Sequence, residues 1–165
     1  MPRGQDRWLP REMRLVSEYL VSHYPRAIHL TRVRLGTWEP KAEELRLTES
    51  ELRMLGSFRR WADALAITAD EMVLIEGALR PDTGEASKLE IYARLVPSTP
   101  ELQDYLNRPL RLELVYAIGD AVVIQYCRER GIRCVEFRPA WLEEYFAGLE
   151  RRQARGMQSR GFGEG

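Results

Sequence analysis

The stretch from Trp61 to Tyr92 constrains the fold of this chain more than any other part of its sequence. Two short apolar runs, residues 61–68 and 71–79, are separated by Ala69-Asp70, and two residues is the commonest loop length of a β-hairpin. A loop signal follows at residues 80–84, and after it a helical pattern. The stretch therefore predicts a strand, a tight turn, a second strand, a loop and a helix.

Two acidic residues lie within the otherwise apolar strands of this hairpin. A symmetric turn pairs Thr68 with Glu71, and in that register Asp63 lies opposite Glu76 on one face of the sheet. Opposed Cβ atoms are ~5 Å apart, where like charges repel, and burial in apolar strands adds a desolvation cost. A divalent cation with oxygen ligands would offset this repulsion. A register shifted by one residue, or an exposed strand end, would instead leave both carboxylates solvated.

The order of these residues resembles the core motif of the PD-(D/E)XK nuclease superfamily, and more narrowly its RecB-like and Holliday-resolvase-like branch. In that motif an Asp in one strand is followed by Glu-x-Lys in the next, and the RecB-like group adds Gln-x-x-x-Tyr on a helix. Asp63, Glu76 and Tyr92 match the pattern. Ala78 stands at the position of the strand lysine, and Lys88 stands at that of the helical glutamine.

Lys88 is therefore interpreted as the displaced catalytic lysine, because the superfamily moves catalytic side chains between elements. It is one of two lysines in a chain otherwise rich in arginine. The alternative is that the site is degenerate and that Lys88 is a solvated helix residue.

The resemblance implies a Mg²⁺- or Mn²⁺-dependent endo- or exodeoxyribonuclease that hydrolyses DNA phosphodiester bonds. The metal would be held by Asp63, Glu76 and the backbone carbonyl of Gly77. Lys88 would position the attacking water or stabilise charge on the phosphate, and Tyr92 would support the site from the helix.

A further acid, Glu12, lies in the first predicted helix, which runs from Pro10 to about His23. It stands three and four residues before Leu15 and Val16, which places it on the apolar stripe of that helix. In the superfamily a glutamate on the first helix often approaches the metal, so Glu12 is a candidate for the outer shell of the site. The alternative is an exposed first-turn glutamate favoured by the helix dipole.

Two other functions remain open from the sequence. In the second hypothesis, the chain is a catalytically inactive structural or connector protein in a larger assembly, such as the head–tail region of a phage particle. The alanine at position 78 and the zero formal net charge favour this hypothesis. A DNA-binding module without cleavage is the third hypothesis, and its binding would weaken with salt.

Length and charge limit the domain organisation and the mode of DNA binding. A chain of 165 residues suits one domain, predicted over residues 1–150, with residues 151–165 as a tail that is flexible or ordered by a protein partner. Zero net charge argues against a broad basic surface that coats nucleic acid. A local groove that contacts phosphates is predicted from four arginines, which would otherwise form an ordinary solvated surface: Arg32, Arg34, Arg59 and Arg60.

The cysteines and histidines match no metal-binding spacing. Cys127 and Cys134 are interpreted as buried thiols, and His23 and His29 as structural or surface residues. No apolar run reaches the ~18–20 residues that span a bilayer, and the N-terminus lacks the apolar core of a signal peptide. The sequence therefore predicts a cytoplasmic protein, or a virion protein under the second hypothesis, without a membrane partner.

The remaining patterns predict an α/β fold, and the resemblance implies that its core is restriction-endonuclease-like. A mixed sheet of four to five strands is expected, with helices on both faces, because the strand–helix–strand order after residue 110 indicates a parallel crossover. The further predicted strands cover residues 27–35, 110–118 and 132–137. The further predicted helices cover residues 49–55, 85–95, 121–130 and 139–149.

Overall fold

The computed structural model describes residues 11–36, 48, 50–51 and 61–160, with side chains as far as residue 155. Five strands form one sheet in the order β1-β2-β3-β4-β5: β1 (Ile28–Arg34), β2 (Trp61–Ile67), β3 (Met72–Ala78), β4 (Leu110–Tyr116) and β5 (Arg133–Glu136). Four α-helices accompany them: α1 (Arg11–His23), α2 (Thr83–Leu95), α3 (Ala121–Glu129) and α4 (Ala140–Arg160).

The sheet is mixed, as the sequence predicts. Strand β2 is antiparallel to both of its neighbours, β1 and β3, whereas β3, β4 and β5 run parallel to one another. The α/β class with helices on both faces is therefore confirmed. The hairpin has the predicted register, because Ala64 pairs with Ile75 and the Thr68 N–H donates to the Glu71 carbonyl over 2.9 Å.

Each face of the sheet carries its own apolar core. Leu65 and Leu74 belong to the core under α2 and α3, whereas Ala64 and Ile75 belong to the core under α1 and α4. Helix α1 lies against Gly77, where an added Cβ would overlap Cγ2 of Val16. Glu76 follows Ile75 in β3 and lies near Lys88 of α2, and the charge of Lys88 also acts on Asp63, so both acids belong to the α2 side.

Most elements begin and end within two residues of the predicted bounds. Helix α2 begins at Thr83 because Asp82 caps it, with Asp82 accepting from the Gly84 N–H and Glu85 accepting from the Asp82 N–H. Two 3₁₀ helices, Val96–Ser98 and Pro100–Tyr105, follow α2 where only a break was predicted. Helix α4 continues to Arg160, well past the predicted end near residue 149.

The predicted helix over residues 49–55 lies mostly outside the described residues. A capping box is formed at its start, since the Thr48 N–H donates to Glu51 Oε2 over 2.8 Å and the Glu51 N–H donates to Thr48 Oγ1 over 3.3 Å. Within the described ranges, no helix combines the length and the apolar character needed to cross a membrane.

Candidate functional site

Asp63 and Glu76 lie where the recorded pairing of β2 with β3 ends, one residue beyond Ala64 and Ile75. Glu76 Oε1 accepts from the Asp63 N–H over 3.1 Å, and Asp63 Oδ2 accepts from the Gly77 N–H over 2.9 Å. Each acid therefore binds the backbone of the neighbouring strand with its side chain. These two bonds satisfy one oxygen of the buried Glu76 carboxylate and one of the partly buried Asp63 carboxylate, and each carboxylate keeps a second oxygen.

Lys88 approaches this pair from α2. Its Nζ lies 3.8 Å from Glu76 Oε2, and its side chain is 27% exposed, whereas that of Glu76 is 3% exposed. The geometric part of the prediction is thus confirmed, since the helix after β3 brings an ammonium group over the acids.

The electrostatics of the pair favour one neutral carboxyl group. Burial raises the pKa of Glu76 from its ordinary value to about 8, and the Asp63 carboxylate adds to the rise, whereas the Asp63 N–H and Lys88 oppose it. Burial also raises the pKa of Asp63, against the lowering effect of the Gly77 N–H and Lys88. The predicted repulsion is therefore relieved in three ways: by protonation, by backbone donors and by one lysine.

Tyr92 and Glu12 lie on different sides of the site. Tyr92 is buried on α2, and its pKa is raised by burial first and then by the charges of Glu76 and Asp63. Glu12 is exposed at the start of α1, on the opposite face of the sheet, which is the alternative stated above for a first-turn glutamate. Its charge still contributes to the raised pKa of Asp63.

Two carboxylates form the oxygen-rich centre of the site. Among the described residues, no group of three or more His, Cys, Asp or Glu side chains is placed to hold a metal ion. Two carboxylates with one backbone carbonyl are nevertheless a donor set that suits Mg²⁺, which keeps several of its waters. The residues present therefore fit a divalent cation that is only partly enclosed by protein.

The predicted arginine groove is only partly within the described residues. Arg32 and Arg34 are exposed on β1, the edge strand beside β2. Arg59 and Arg60 lie outside the described residues. Arg32 also lies opposite Asp63, since the pairs Thr31–Ala64 and Val33–Ala62 flank this position. Arg32 and Asp63 are not themselves paired in the ladder.

A second buried acid, Glu113, was not identified from the sequence. Its side chain is fully buried on β4, on the α1 side of the sheet, and it accepts hydrogen bonds from the hydroxyls of Tyr19 and Tyr24. Arg111 and Arg133 lie 3.6 and 3.9 Å from its Oε2. The only sequence signal is an acid within the apolar run LRLELVY, and its tyrosine partners are about ninety residues away.

The cysteines and histidines have the structural positions that the sequence suggests. Cys127 is buried, and burial raises its pKa to about 12, while Cys134 is partly buried. The ring of His23 stacks on Tyr19 at 4.1 Å between centroids. His29 Nε2 lies 2.6 Å from the Tyr24 carbonyl.

Comparisons with known proteins identify two distant structural likenesses. No family model and no curated protein sequence matches the chain. A repair endonuclease from Pyrococcus abyssi superposes with a TM-score of 0.46 and 15% identity over 82% of this chain. The EndoMS–dsDNA2 complex gives a TM-score of 0.44 and 12% identity over 84% of this chain. The chain spans 50% of the length of each. Likenesses this distant carry no conclusion about substrate or activity.

Proposed function

We propose that this protein is a metal-dependent nuclease-like enzyme that hydrolyses DNA phosphodiester bonds at the Asp63–Glu76 site. The observation that carries this proposal is the 3.8 Å approach of Lys88 Nζ to Glu76 Oε2. A lysine beside the buried Glu76 and the partly buried Asp63 would restore, from a helix, the acid–acid–lysine set that the strand motif lacks at Ala78. Such a set of charges suits chemistry on a phosphate group.

Asp63 and Glu76 would hold a divalent cation of the Mg²⁺ or Mn²⁺ type, with the Gly77 carbonyl as a third oxygen donor. When bound, the metal would supply an activated water and neutralise charge on the phosphate. The backbone N–H groups of Asp63 and Gly77 fix one oxygen of each acid, so the second oxygens, Asp63 Oδ1 and Glu76 Oε2, are the ones offered to a ligand. A cation would also favour the ionised form of Glu76, whose pKa is raised in its absence.

The remaining residues have supporting roles in this proposal. Lys88 would orient the water or stabilise the charge on the phosphate, and buried Tyr92 would hold α2 against the acids. The exposed residues Arg32 and Arg34 on the neighbouring edge strand would contact the DNA backbone, together with Arg59 and Arg60. Glu12 would act on the site through its charge alone.

The test is cleavage of linear, branched and single-stranded DNA in Mg²⁺ or Mn²⁺ by the wild-type chain and by Glu76→Ala and Lys88→Met. Both variants should lose activity, and cleavage should stop when EDTA removes the metal. Glu90→Ala is the matched control, because Glu90 lies on the same helix but pairs with Arg130. Metal-dependent cleavage that survives in Glu76→Ala would rule out the proposed site.

A second candidate is a catalytically inactive protein of this fold that acts as a structural or connector component of a larger assembly, such as a phage particle. Two observations favour it. Glu76 is almost fully buried with a pKa raised to about 8, so at neutral pH its protonated form disfavours metal binding. Residues 150–155 of α4 are exposed, which leaves this part of the helix accessible to a protein partner.

Calorimetry with Mg²⁺ and Mn²⁺ separates the two candidates. Binding that is abolished in the double variant Asp63→Asn/Glu76→Gln supports the nuclease. Absence of metal binding, together with a stable ring or other closed oligomer in light scattering, supports the structural protein.

A further inference from the structure

Arg32 has an unusual backbone conformation directly beside Asp63. Its φ is 51°, in the left-handed region that residues other than glycine rarely adopt. Within the described residues it is the one position other than glycine with a positive φ. It lies in the middle of β1, where an extended conformation is the rule.

The pairing of β1 with β2 is interrupted at the same position. The ladder pairs Thr31 with Ala64 and Val33 with Ala62, and the intervening pair, Arg32 with Asp63, is missing from it. The alternation of side chains shifts there too. Leu30 and Val33, three residues apart, both pack against the core under α2, and that core also contains Ala62 and Leu65 on the partner strand. A regular strand would place residues three apart on opposite faces.

The register determines where the Asp63 N–H would point in a regular sheet. The Thr68 N–H donates across to β3, and the backbone groups of successive residues in an antiparallel strand point to alternate neighbours. The N–H of Asp63, five residues earlier, would therefore point towards β1 and the carbonyl of Arg32. In the structure it donates to Glu76 Oε1, a side chain of β3.

We infer that residue 32 is a positioning residue for the acid pair. Its left-handed backbone interrupts the ladder opposite Asp63, and this leaves the Asp63 N–H to the Glu76 carboxylate. The role belongs to the backbone at position 32 and is separate from any contact of the arginine side chain with DNA. Any effect of residue 32 on catalysis rests on the proposed function. Its effect on the hydrogen bond between Asp63 and Glu76 does not.

The Asp63–Glu76 bond explains why a strained conformation persists in a strand. A buried carboxylate needs hydrogen-bond donors, and a regular β1–β2 ladder would take away the donor that Glu76 uses. Strain that is retained beside a cluster of functional groups is a common sign of a built site. The strain at Arg32 and the satisfaction of Glu76 are thus two parts of one arrangement.

The experiment compares substitutions that accept or resist a positive φ, in metal-free isotopically labelled protein. Arg32→Gly and Arg32→Asn accept the left-handed conformation, whereas Arg32→Val and Arg32→Ala resist it, valine more strongly. The readout is the NMR scalar coupling through the hydrogen bond between the Asp63 amide nitrogen and the Glu76 carboxyl carbon, with the Asp63 amide shift. Thr31→Val is the control, since Thr31 is exposed and regularly paired on the same strand.

Arg32→Gly, Arg32→Asn and Thr31→Val should keep the coupling and the Asp63 amide shift. Arg32→Val should lose the coupling, and Arg32→Ala should show the same change to a smaller extent, which preserves the test if the valine variant does not fold. Equal spectra in the glycine and alanine variants would overturn the inference. Wild-type protein that shows the coupling but does not cleave DNA would refute the proposed function alone.

Discussion

The two faces of the sheet each bury a glutamate, and they treat it in opposite ways. Glu113, on the α1 side, is surrounded by donors: two tyrosine hydroxyls and two arginines. Glu76, on the α2 side, has one backbone N–H, one lysine at 3.8 Å and a second acid, Asp63, as its neighbour. Burial is nearly complete in both cases, at 0% and 3% exposure.

The hydrogen-bond and charge partners of the two glutamates distinguish Glu113, a structural acid, from Glu76, a candidate reactive acid. The partners of Glu113 come from α1, from the segment after it and from β4 and β5, so its carboxylate ties these parts together. Its effect appears on the tyrosines, since burial and then Glu113 raise the pKa of Tyr19. Burial and then the charge of Asp63 raise the pKa of Glu76. Such a perturbed group marks a candidate site.

The largest expected effect comes from the same substitution at the two glutamates. Glu113→Gln should lower the free energy of unfolding by ~3–5 kcal/mol, because two tyrosine hydroxyls and two partly exposed arginines lose the charged acceptor that is buried between them. Glu76→Gln should not destabilise the protein at pH 8, since it removes like-charge repulsion from Asp63. Urea denaturation of both variants measures the contrast. Equal losses in the free energy of unfolding would show that Glu76 and Glu113 stabilise the fold to the same extent.

The next effect comes from Gly77, where the two regions meet. Its N–H binds Asp63 on one side of the sheet, and its missing side chain admits Val16 of α1 on the other. Gly77→Ala should cost ~1–3 kcal/mol through overpacking. Gly148→Ala, in a helix with no atom closer than 3.9 Å to the added Cβ, should be neutral or stabilising. Thermal unfolding of both variants tests this, and equal melting temperatures would contradict the close packing of α1.

A further effect is expected in the pH dependence of stability without metal. The pKa of Glu76 is about 8 in the folded state and 4.5 ordinarily, so the folded protein binds the proton more tightly. This stabilisation is complete below pH 4.5 and is lost as the pH rises through about 8. Because each unit of pKa difference corresponds to ~1.4 kcal/mol, the free energy of unfolding should fall by a few kcal/mol over this range.

Urea denaturation in EDTA between pH 5 and about 9 measures this pH dependence. Glu76→Gln should flatten the profile in that range, because an amide does not titrate there. Glu90→Gln is the control, as Glu90 is an acid of α2 that faces Arg130. A wild-type stability that stays constant or rises over this range would refute a protonated Glu76.

Local patterns in the sequence predicted most of the fold and the principal contact of the site. The Ala69-Asp70 turn gave the hairpin register, and that register with the helix after β3 placed Lys88 near Glu76. The distant contacts were not predictable in this way. Glu113 meets Tyr19 and Tyr24 only because α1 crosses β4, and the kink at Arg32 depends on a side chain of a strand two positions away in the sheet. Contacts between residues so far apart in the chain leave no local pattern in the sequence from which they could be predicted.

The smallest effect on stability is expected for Lys88→Met, which should change the pKa of Glu76 instead. Its ion pair with Glu76 is long and partly exposed, so the loss in free energy of unfolding should be only ~0–1 kcal/mol. The pKa of Glu76 should nevertheless rise further, since Lys88 lowers it in the wild type. Carbon-13 NMR of the Glu76 carboxyl group in EDTA follows this titration.

Arg94→Met is the matched control for Lys88→Met, because it removes a cation from the same helix, one that pairs with Glu51 at 2.8 Å. It should leave the Glu76 titration unchanged. Lys88→Arg keeps the charge and should hold the pKa near the wild-type value, although its planar group does not reproduce the ammonium geometry. If Lys88→Met and Arg94→Met titrate alike, Lys88 does not act on the acid pair. The site would then consist of two acids alone, and the structural-protein candidate would be the better account of the chain.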